Sequence, residues 1–268
     1  MTSPADVASI ERATLDAVCP AEVHEIPGWL LPYDPLPIGR AQSAVPLAHT
    51  PLFLPALQQI EAHYQQRHRP TVFRLPEGLI TTNIGDALHA MGYFAHHGVL
   101  VQVSDVAGLL RMAPADAATL SAMPSAPWAS VYTADGFDPV DGANRVQLLS
   151  RSRRVVYAHA SEGGQALAVG TGSISHGWLS IHGMRTVPSA RGRGLASRIL
   201  AGLAAHAAAQ GVRRVFLQVE DDNPVAQGLY GKAGFETAWR YHYWRVTQRH
   251  VHHASARKYK PSRRASSA

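Results

Sequence analysis

Cysteine is nearly missing from this chain: Cys19 is the only one in 268 residues. A lone thiol cannot form an internal disulfide, which excludes a stapled secreted scaffold. Long apolar runs are missing too. The best, Ile199 to Ala209, is interrupted by His206 and falls short of the roughly 20 residues a membrane helix needs. The first twenty residues carry Asp6, Glu11 and Asp16 with no apolar stretch, so they do not read as a secretory leader. Charge is sparse, at 16% against 46% hydrophobic residues, a balance that supports a buried core and excludes wholesale disorder. These absences lead to the expectation of a soluble, cytoplasmic protein with no membrane partner. The length suits two domains of roughly 100–130 residues.

The net charge of +6 is unevenly spread. Residues 1–120 hold 6 basic against 11 acidic side chains, and residues 121–268 hold 19 against 8. The last twenty residues contain Arg249, Arg257, Lys258, Lys260, Arg263 and Arg264 and no acid. Such a tail reads as a solvated, disordered terminus. Its one aromatic residue, Tyr259, and its lack of a base-reading motif give no reason to expect a nucleic-acid partner. His250, His252 and His253 resemble a metal cluster only loosely, and no metal is expected. The charge and pattern shifts divide the chain into residues 1–120, 121–248 and the tail, 249–268.

Residues 113–142, rich in Ala, Ser, Pro, Asp and Gly, read as a linker and the entry to the second domain. Strands are then expected at Arg153–Ala160, Ala166–Ile174 and Gly177–Val187. Leu195, Ile199, Leu203 and Ala207 recur every four residues, an amphipathic helix closed by Gly211. Arg214–Val219 reads as a buried strand. The next helix has Asn223 as N-cap, Pro224 at its first position and Gly234 past its end, with Val225 and Leu229 facing the core. Phe235–Val246 closes the domain as a long strand. This order is α/β or α+β.

A faint internal repeat appears. Leu88 to Tyr93 (LHAMGY) parallels Tyr230 to Phe235 (YGKAGF) 142 residues later. Each follows a short strand-like run (Thr71–Leu75; Arg214–Val219), and Leu57, Ile60 and Tyr64 suggest a helix where the second half has its long one. This order predicts two similar domains in tandem.

The segment Thr186 to Ala196 (TVPSARGRGLA) joins a strand end to a helix start. Its glycines let backbone come close to a ligand, and successive N–H groups at a helix N-terminus make an anion site. Arg191 and Arg193 add cations, so a phosphate or pyrophosphate is the expected guest; the bland alternative is a tight turn with solvated arginines. A dinucleotide fold is excluded, because Gly192-x-Gly194-x-x-Ser197 lacks the third glycine and too little chain follows for a doubly wound sheet.

At these residues the chain resembles the GNAT (GCN5-related N-acetyltransferase) family. Arg191-Gly-Arg-Gly194-Leu-Ala196 matches that family's Gln/Arg-x-x-Gly-x-Gly/Ala turn, and Asn223, Ala226, Leu229, Tyr230, Gly234 and Phe235 match its second signature. The resemblance covers about residues 127–247 and, as a degenerate copy, the first half. It implies a mixed, mostly antiparallel sheet flanked by helices, acetyl-CoA as acyl donor, and direct transfer to a primary amine, most simply a small-molecule amine acceptor. A peptide acceptor and a non-catalytic acyl-CoA-binding module are the alternatives. It further implies that the backbone of Met184, Arg185 and Thr186 pairs with the pantetheine arm, that Arg191, Gly192, Arg193, Gly194, Leu195 and Ala196 wrap the pyrophosphate, that Asn223 bonds nearby, and that Tyr230 protonates the leaving thiolate. Asn223 is also a good N-cap whatever the function, and Tyr230 could be plain core.

The general base is less plain. Strand alternation puts Ser180, His182, Met184 and Thr186 on one face. Ser180 falls about where many members carry a Glu, which leaves His182 as the candidate, or an incidental core histidine. Glu220, Asp221 and Asp222 could attract an ammonium or form a solvated loop. The first half has no glycine between Gly39 and Gly78, and Leu88 stands where Tyr230 does, so one acetyl-CoA per chain is expected. Gly28-Trp29 and Arg40 to Ser43 either line an acceptor cleft or are a buried Trp with a satisfied Arg.

Overall fold

Tyr93–Asp105 and Glu236–Val246 are rich in Val, aromatic and His residues, and they form two long strands whose pairing sets the architecture. The computed structural model describes residues 3–152 and 154–246. Its first half runs α1 (Pro4–Val18), β1 (Glu22–Ile26), β2 (Trp29–Tyr33), β3 (Val45–Pro46), α2 (Leu54–Gln65), β4 (Val72–Pro76), α3 (Thr82–Ala90), β5 (Tyr93–Asp105) and α4 (Val106–Leu110). Then follow β6 (Thr119–Ser121), α5 (Ala126–Ser130), α6 (Pro139–Leu149), β7 (Val155–Glu162), β8 (Gln165–Ser175) and β9 (Trp178–Thr186). The chain continues through α7 (Leu195–Ala209), β10 (Arg214–Glu220), α8 (Pro224–Lys232) and β11 (Glu236–Val246).

One eight-stranded sheet has the order β4-β11-β5-β10-β9-β8-β7-β6. Only β9 and β10 pair in parallel; the other neighbours are antiparallel. The fold is thus α/β of the mixed, mostly antiparallel kind. The sequence repeat is real in three dimensions: α2, β4, α3 and β5 recur as α7, β10, α8 and β11. A shift of 142 residues carries Thr82–Ala90 onto Pro224–Lys232. The N-caps correspond as well. Thr81 accepts from the Ile84 N–H and Asn223 from the Ala226 N–H.

The two copies share their sheet. β5 lies between β10 and β11, and β11 lies between β5 and β4. Each copy's last strand therefore fills the gap in the other. Val99 opposite Tyr241 and Val101 opposite Trp239 mark the central pairing.

Strand alternation sorts the core onto two faces. Leu179, Ile181 and Leu217 pack with Leu195, Ile199 and Leu203 of α7. Trp178 and Phe216 pack on the other face with Val7, Ile10 and Ala13 of α1 and with Tyr241. Burying each of these large side chains contributes roughly 1.5–3 kcal/mol. A buried ion pair, Arg74 to Glu11 at 2.7 Å, ties β4 to α1.

Two expectations need correction. Residues 113–142 are not a plain linker. They hold β6 and α5, and Trp128 and Tyr132 are fully buried against the sheet. Two aromatic anchors among small residues bury surface without producing a periodic pattern. Val225 is 81% exposed instead of facing the core; Tyr230 is the buried residue of α8. Gly28 (φ +80°) is in the turn of a β1–β2 hairpin that packs Trp29 and Leu31 onto α2 in a separate three-stranded sheet. The tail, 249–268, lies outside the described residues.

Candidate active site

Strands β9 and β10 are paired only as far as Ile181 and Leu217, then diverge. From His182 onward, the β9 edge that faces β10 has no partner strand. At the same point β9 slips register against β8: His182 lies opposite Thr171, whereas Arg185 lies opposite Val169. Gly183 takes the extra step with φ +62°, a conformation that suits glycine. Its carbonyl accepts a hydrogen bond from the Tyr132 hydroxyl.

This bulge corrects the expected shared face. His182 stays on the α1 side, with its ring 6.2 Å from that of Phe216. Met184 is turned to the opposite side, where it packs among Ile181, Ile199 and their neighbours. A period of two cannot be carried through a bulged glycine. Ser180 is buried and donates to the Ser173 carbonyl, so it is occupied. Arg185 is occupied too. Its guanidinium binds Asp141 and the Tyr132 carbonyl and lies over the rings of Tyr132 and Phe137.

The glycine turn lies at the head of α7. Gly194 is the N-cap and has φ +75°; Gly192 has φ +76°. Nothing lies within 4 Å of a Cβ placed on either. Among the described residues, the backbone N–H groups of Gly192 through Ser197 find no protein acceptor. The turn's bonds are Arg191 N–H to Pro188 and Arg198 N–H to Gly194. Six successive free donors at a helix N-terminus form a cradle for an oxyanion. Arg191 is exposed beside it. Arg193 is not free for a ligand, because its guanidinium pairs with Glu162.

Between the diverging strands is a cavity of about 350 Å³. Met184, Asn223 and Tyr230 line it on the α7–α8 side; His182, Arg40 and Tyr241 line it on the α1 side. Asn223 caps α8 and also lines the cavity. Tyr230 is 7% exposed, packs edge-on to Phe235, and its hydroxyl makes no hydrogen bond to a described residue. Burial pushes its phenol up to about 12, so it is protonated at neutral pH. His182 is 3% exposed, and neither ring nitrogen has a hydrogen-bond partner among the described residues. Burial, with a smaller push from Arg40, holds it well below the usual histidine range and therefore neutral.

The acidic run divides. Glu220 lines the cavity, whereas Asp221 pairs with Arg240. The alternatives for Gly28-Trp29 and Arg40 also divide: Trp29 is buried structure, and Arg40 lines the cavity without an ion-pair partner among the described residues. Sequence reasoning missed Tyr132, the Gly183 bulge and the Tyr241–Gln218 pair on the cavity wall. A glycine inside a strand pattern was the one available signal for the bulge.

This sheet, diverging strands and glycine turn define the GNAT architecture, and comparison with known proteins agrees. The model of a family described as probable histone acetyltransferase Rv0428c, C-terminal, matches residues 4–244. The chain belongs to this GNAT acetyltransferase family. An uncharacterized N-acetyltransferase, YobR of Bacillus subtilis (strain 168), is 34% identical over 76 residues, which span 28% of this chain and 31% of that protein. A GCN5-related N-acetyltransferase from Kribbella flavida superposes with a TM-score of 0.65 at 18% identity, covering 91% of this chain and 97% of its own. A tandem GNAT protein from the clavulanic acid biosynthesis pathway superposes at 0.57 and 15% identity, covering 89% and 94%. These likenesses show the fold.

Proposed function

We propose that this chain transfers the acetyl group of acetyl-CoA directly to the primary amine of a small molecule, using one site per chain. The observation that carries this reading is the row of unpaired N–H groups from Gly192 to Ser197, next to the unpaired edge of β9. A pyrophosphate suits the first, and an extended amide-bearing arm suits the second, along Met184, Arg185 and Thr186. Asn223 and Tyr230 face the same cavity. The first half has no such turn, and the slot of Tyr230 holds Leu88, fully buried in its own core.

Acetyl-CoA, when bound, supplies a thioester. The amine nitrogen forms a bond to the carbonyl carbon as the carbon–sulfur bond breaks, and the proton that nitrogen gives up is, in the net reaction, the one that sulfur gains. His182, neutral and unpartnered, accepts a hydrogen bond from the entering amine and aligns its lone pair. The same burial makes the imidazole a poor place to leave a proton, so the amine must arrive uncharged. Tyr230 keeps its proton at neutral pH and donates a hydrogen bond to the departing sulfur.

The family's description brings a histone as a second acceptor. Arg40 and Arg245 on the cavity wall argue against a basic peptide. A non-catalytic acyl-CoA-binding module would leave the unpartnered Tyr230 and His182 without a task.

Calorimetric titration tests the reading. One acetyl-CoA per chain is expected. Gly194→Val adds a side chain to the ligand face of the turn at φ +75° and should weaken binding at least ten-fold while the protein stays folded. Unchanged affinity in folded Gly194→Val would remove this site.

A further inference from the structure

Arg40 is the cavity residue that this reading leaves without a task. It lies in a single 3₁₀ turn, Gly39–Ala41, whose position is fixed on all sides. Ala41 and Ile38 are buried with Leu30, Val45 and Leu148. Ser43 donates to the Gly39 carbonyl at 2.8 Å, and Gln42 donates to the Asp34 carbonyl at 2.7 Å. Asp34, fully buried, binds the Ala21 and Leu36 N–H groups and Arg151. The turn also presses on the far wall: a Cβ on Gly39 would lie 2.9 Å from the ring of Tyr243, so a side chain there would push that ring aside.

Such a turn delivers a guanidinium to a fixed place. Its charge acts on His182, on Tyr241 and on Glu11. Glu11 is committed to Arg74, however, and Arg40 makes no ion pair or side-chain hydrogen bond to any described residue. The carboxylate that does line the cavity, Glu220, is exposed on β10, near Asn223. The α1 side of the cavity therefore holds a half-buried, unpaired cation beside a buried histidine with two unpartnered nitrogens. Arg245 adds a second positive charge at the rim.

Resting on the acetyltransferase reading, we infer that the acceptor is an amino acid or close relative, whose carboxylate binds the Arg40 guanidinium while its amine reaches His182. A planar carboxylate matches the two-pronged guanidinium, and one half-buried arginine neutralises one negative charge; a phosphate dianion would call for more. A neutral amine would leave Arg40 desolvated without compensation, and a basic peptide would be repelled.

The test uses the full chain and three acceptor sets: the standard α-amino acids, their carboxamides, and the pair phosphoethanolamine and ethanolamine. Acetylation kinetics and melting shifts with coenzyme A present are both read. Some acids are expected to exceed their amides in kcat/KM by about ten- to a hundred-fold, the range for a charge-assisted hydrogen bond, and to raise the melting temperature. Arg40→Gln should collapse that ratio toward one, mainly through KM, and Arg40→Lys should restore part of it. Acetyl-CoA affinity should not change, because the glycine turn is on the other face of the sheet. Amides as good as acids, or an unaltered ratio in Arg40→Gln and Arg40→Lys, would overturn the inference and leave the acetyltransferase reading standing. So would a preference for phosphoethanolamine, or no acid binding at all. Loss of acetyl-CoA binding in the wild type would instead defeat the underlying reading.

Discussion

Tyr132 donates its phenolic hydrogen bond to the carbonyl of Gly183, and this contact anchors the bulge at which β9 parts from β10. It comes from a segment with no recognisable pattern in sequence, yet it sets the side of the sheet on which Met184 and His182 emerge. Tyr132→Phe leaves a carbonyl without its buried partner and should cost roughly 1–3 kcal/mol. Gly183→Ala should cost more, since its Cβ would collide with the Tyr132 hydroxyl in a left-handed conformation. Urea titration measures both, and a Gly183→Ala variant as stable as wild type would remove the proposed role of the bulge.

The shared sheet makes the halves interdependent. A chain starting at residue 121 lacks β5 and β4, so β10 and β11 lose their antiparallel partners and expose long edges. Such a fragment should show no cooperative melting transition and should aggregate. A monomeric fragment with a sharp transition would contradict this.

His182 gives the folded state a pH dependence with a definite sign. Its folded pKa is lowered by burial, so below about 6.5 the unfolded chain binds a proton that the folded chain refuses. Stability from this group is present above pH 6.5. It falls as pH drops toward the folded pKa, with a limiting slope of about 1.4 kcal/mol per pH unit. His182→Gln should flatten that part of the curve between pH 7 and 5. Parallel curves for the two proteins would show that the imidazole is not buried neutral.

Tyr230→Phe should lower kcat about ten- to a hundred-fold with little change in acetyl-CoA affinity, because the lost hydrogen bond forms to a sulfur that is leaving. Since burial pushes the phenol up to about 12, wild-type activity should show no decline from this group between pH 7 and 10. A basic limb near pH 9 that vanishes in Tyr230→Phe would contradict the assignment.

Local chemistry determined much of this protein from sequence alone. The spacing of Leu195, Ile199 and Leu203, the caps at Asn223 and Gly234, and the glycines at 192 and 194 act within a few residues, so helices, their ends and the free N–H cradle were legible. So was the repeat, because Leu88 to Tyr93 and Tyr230 to Phe235 each end a helix and lead into a long strand at the same place in each copy. Tertiary structure alone decided the rest. That β5 fills the gap beside β10 depends on a pairing between residues more than a hundred positions apart. That Met184 and His182 part company depends on a bulge held by Tyr132, and that Arg40 lines the same cavity as His182 depends on a 3₁₀ turn pinned by Asp34, Gln42 and Tyr243. Periodicity reports how a residue sits relative to its neighbours in the chain; it carries no information about which distant strand or side chain will meet it across the core.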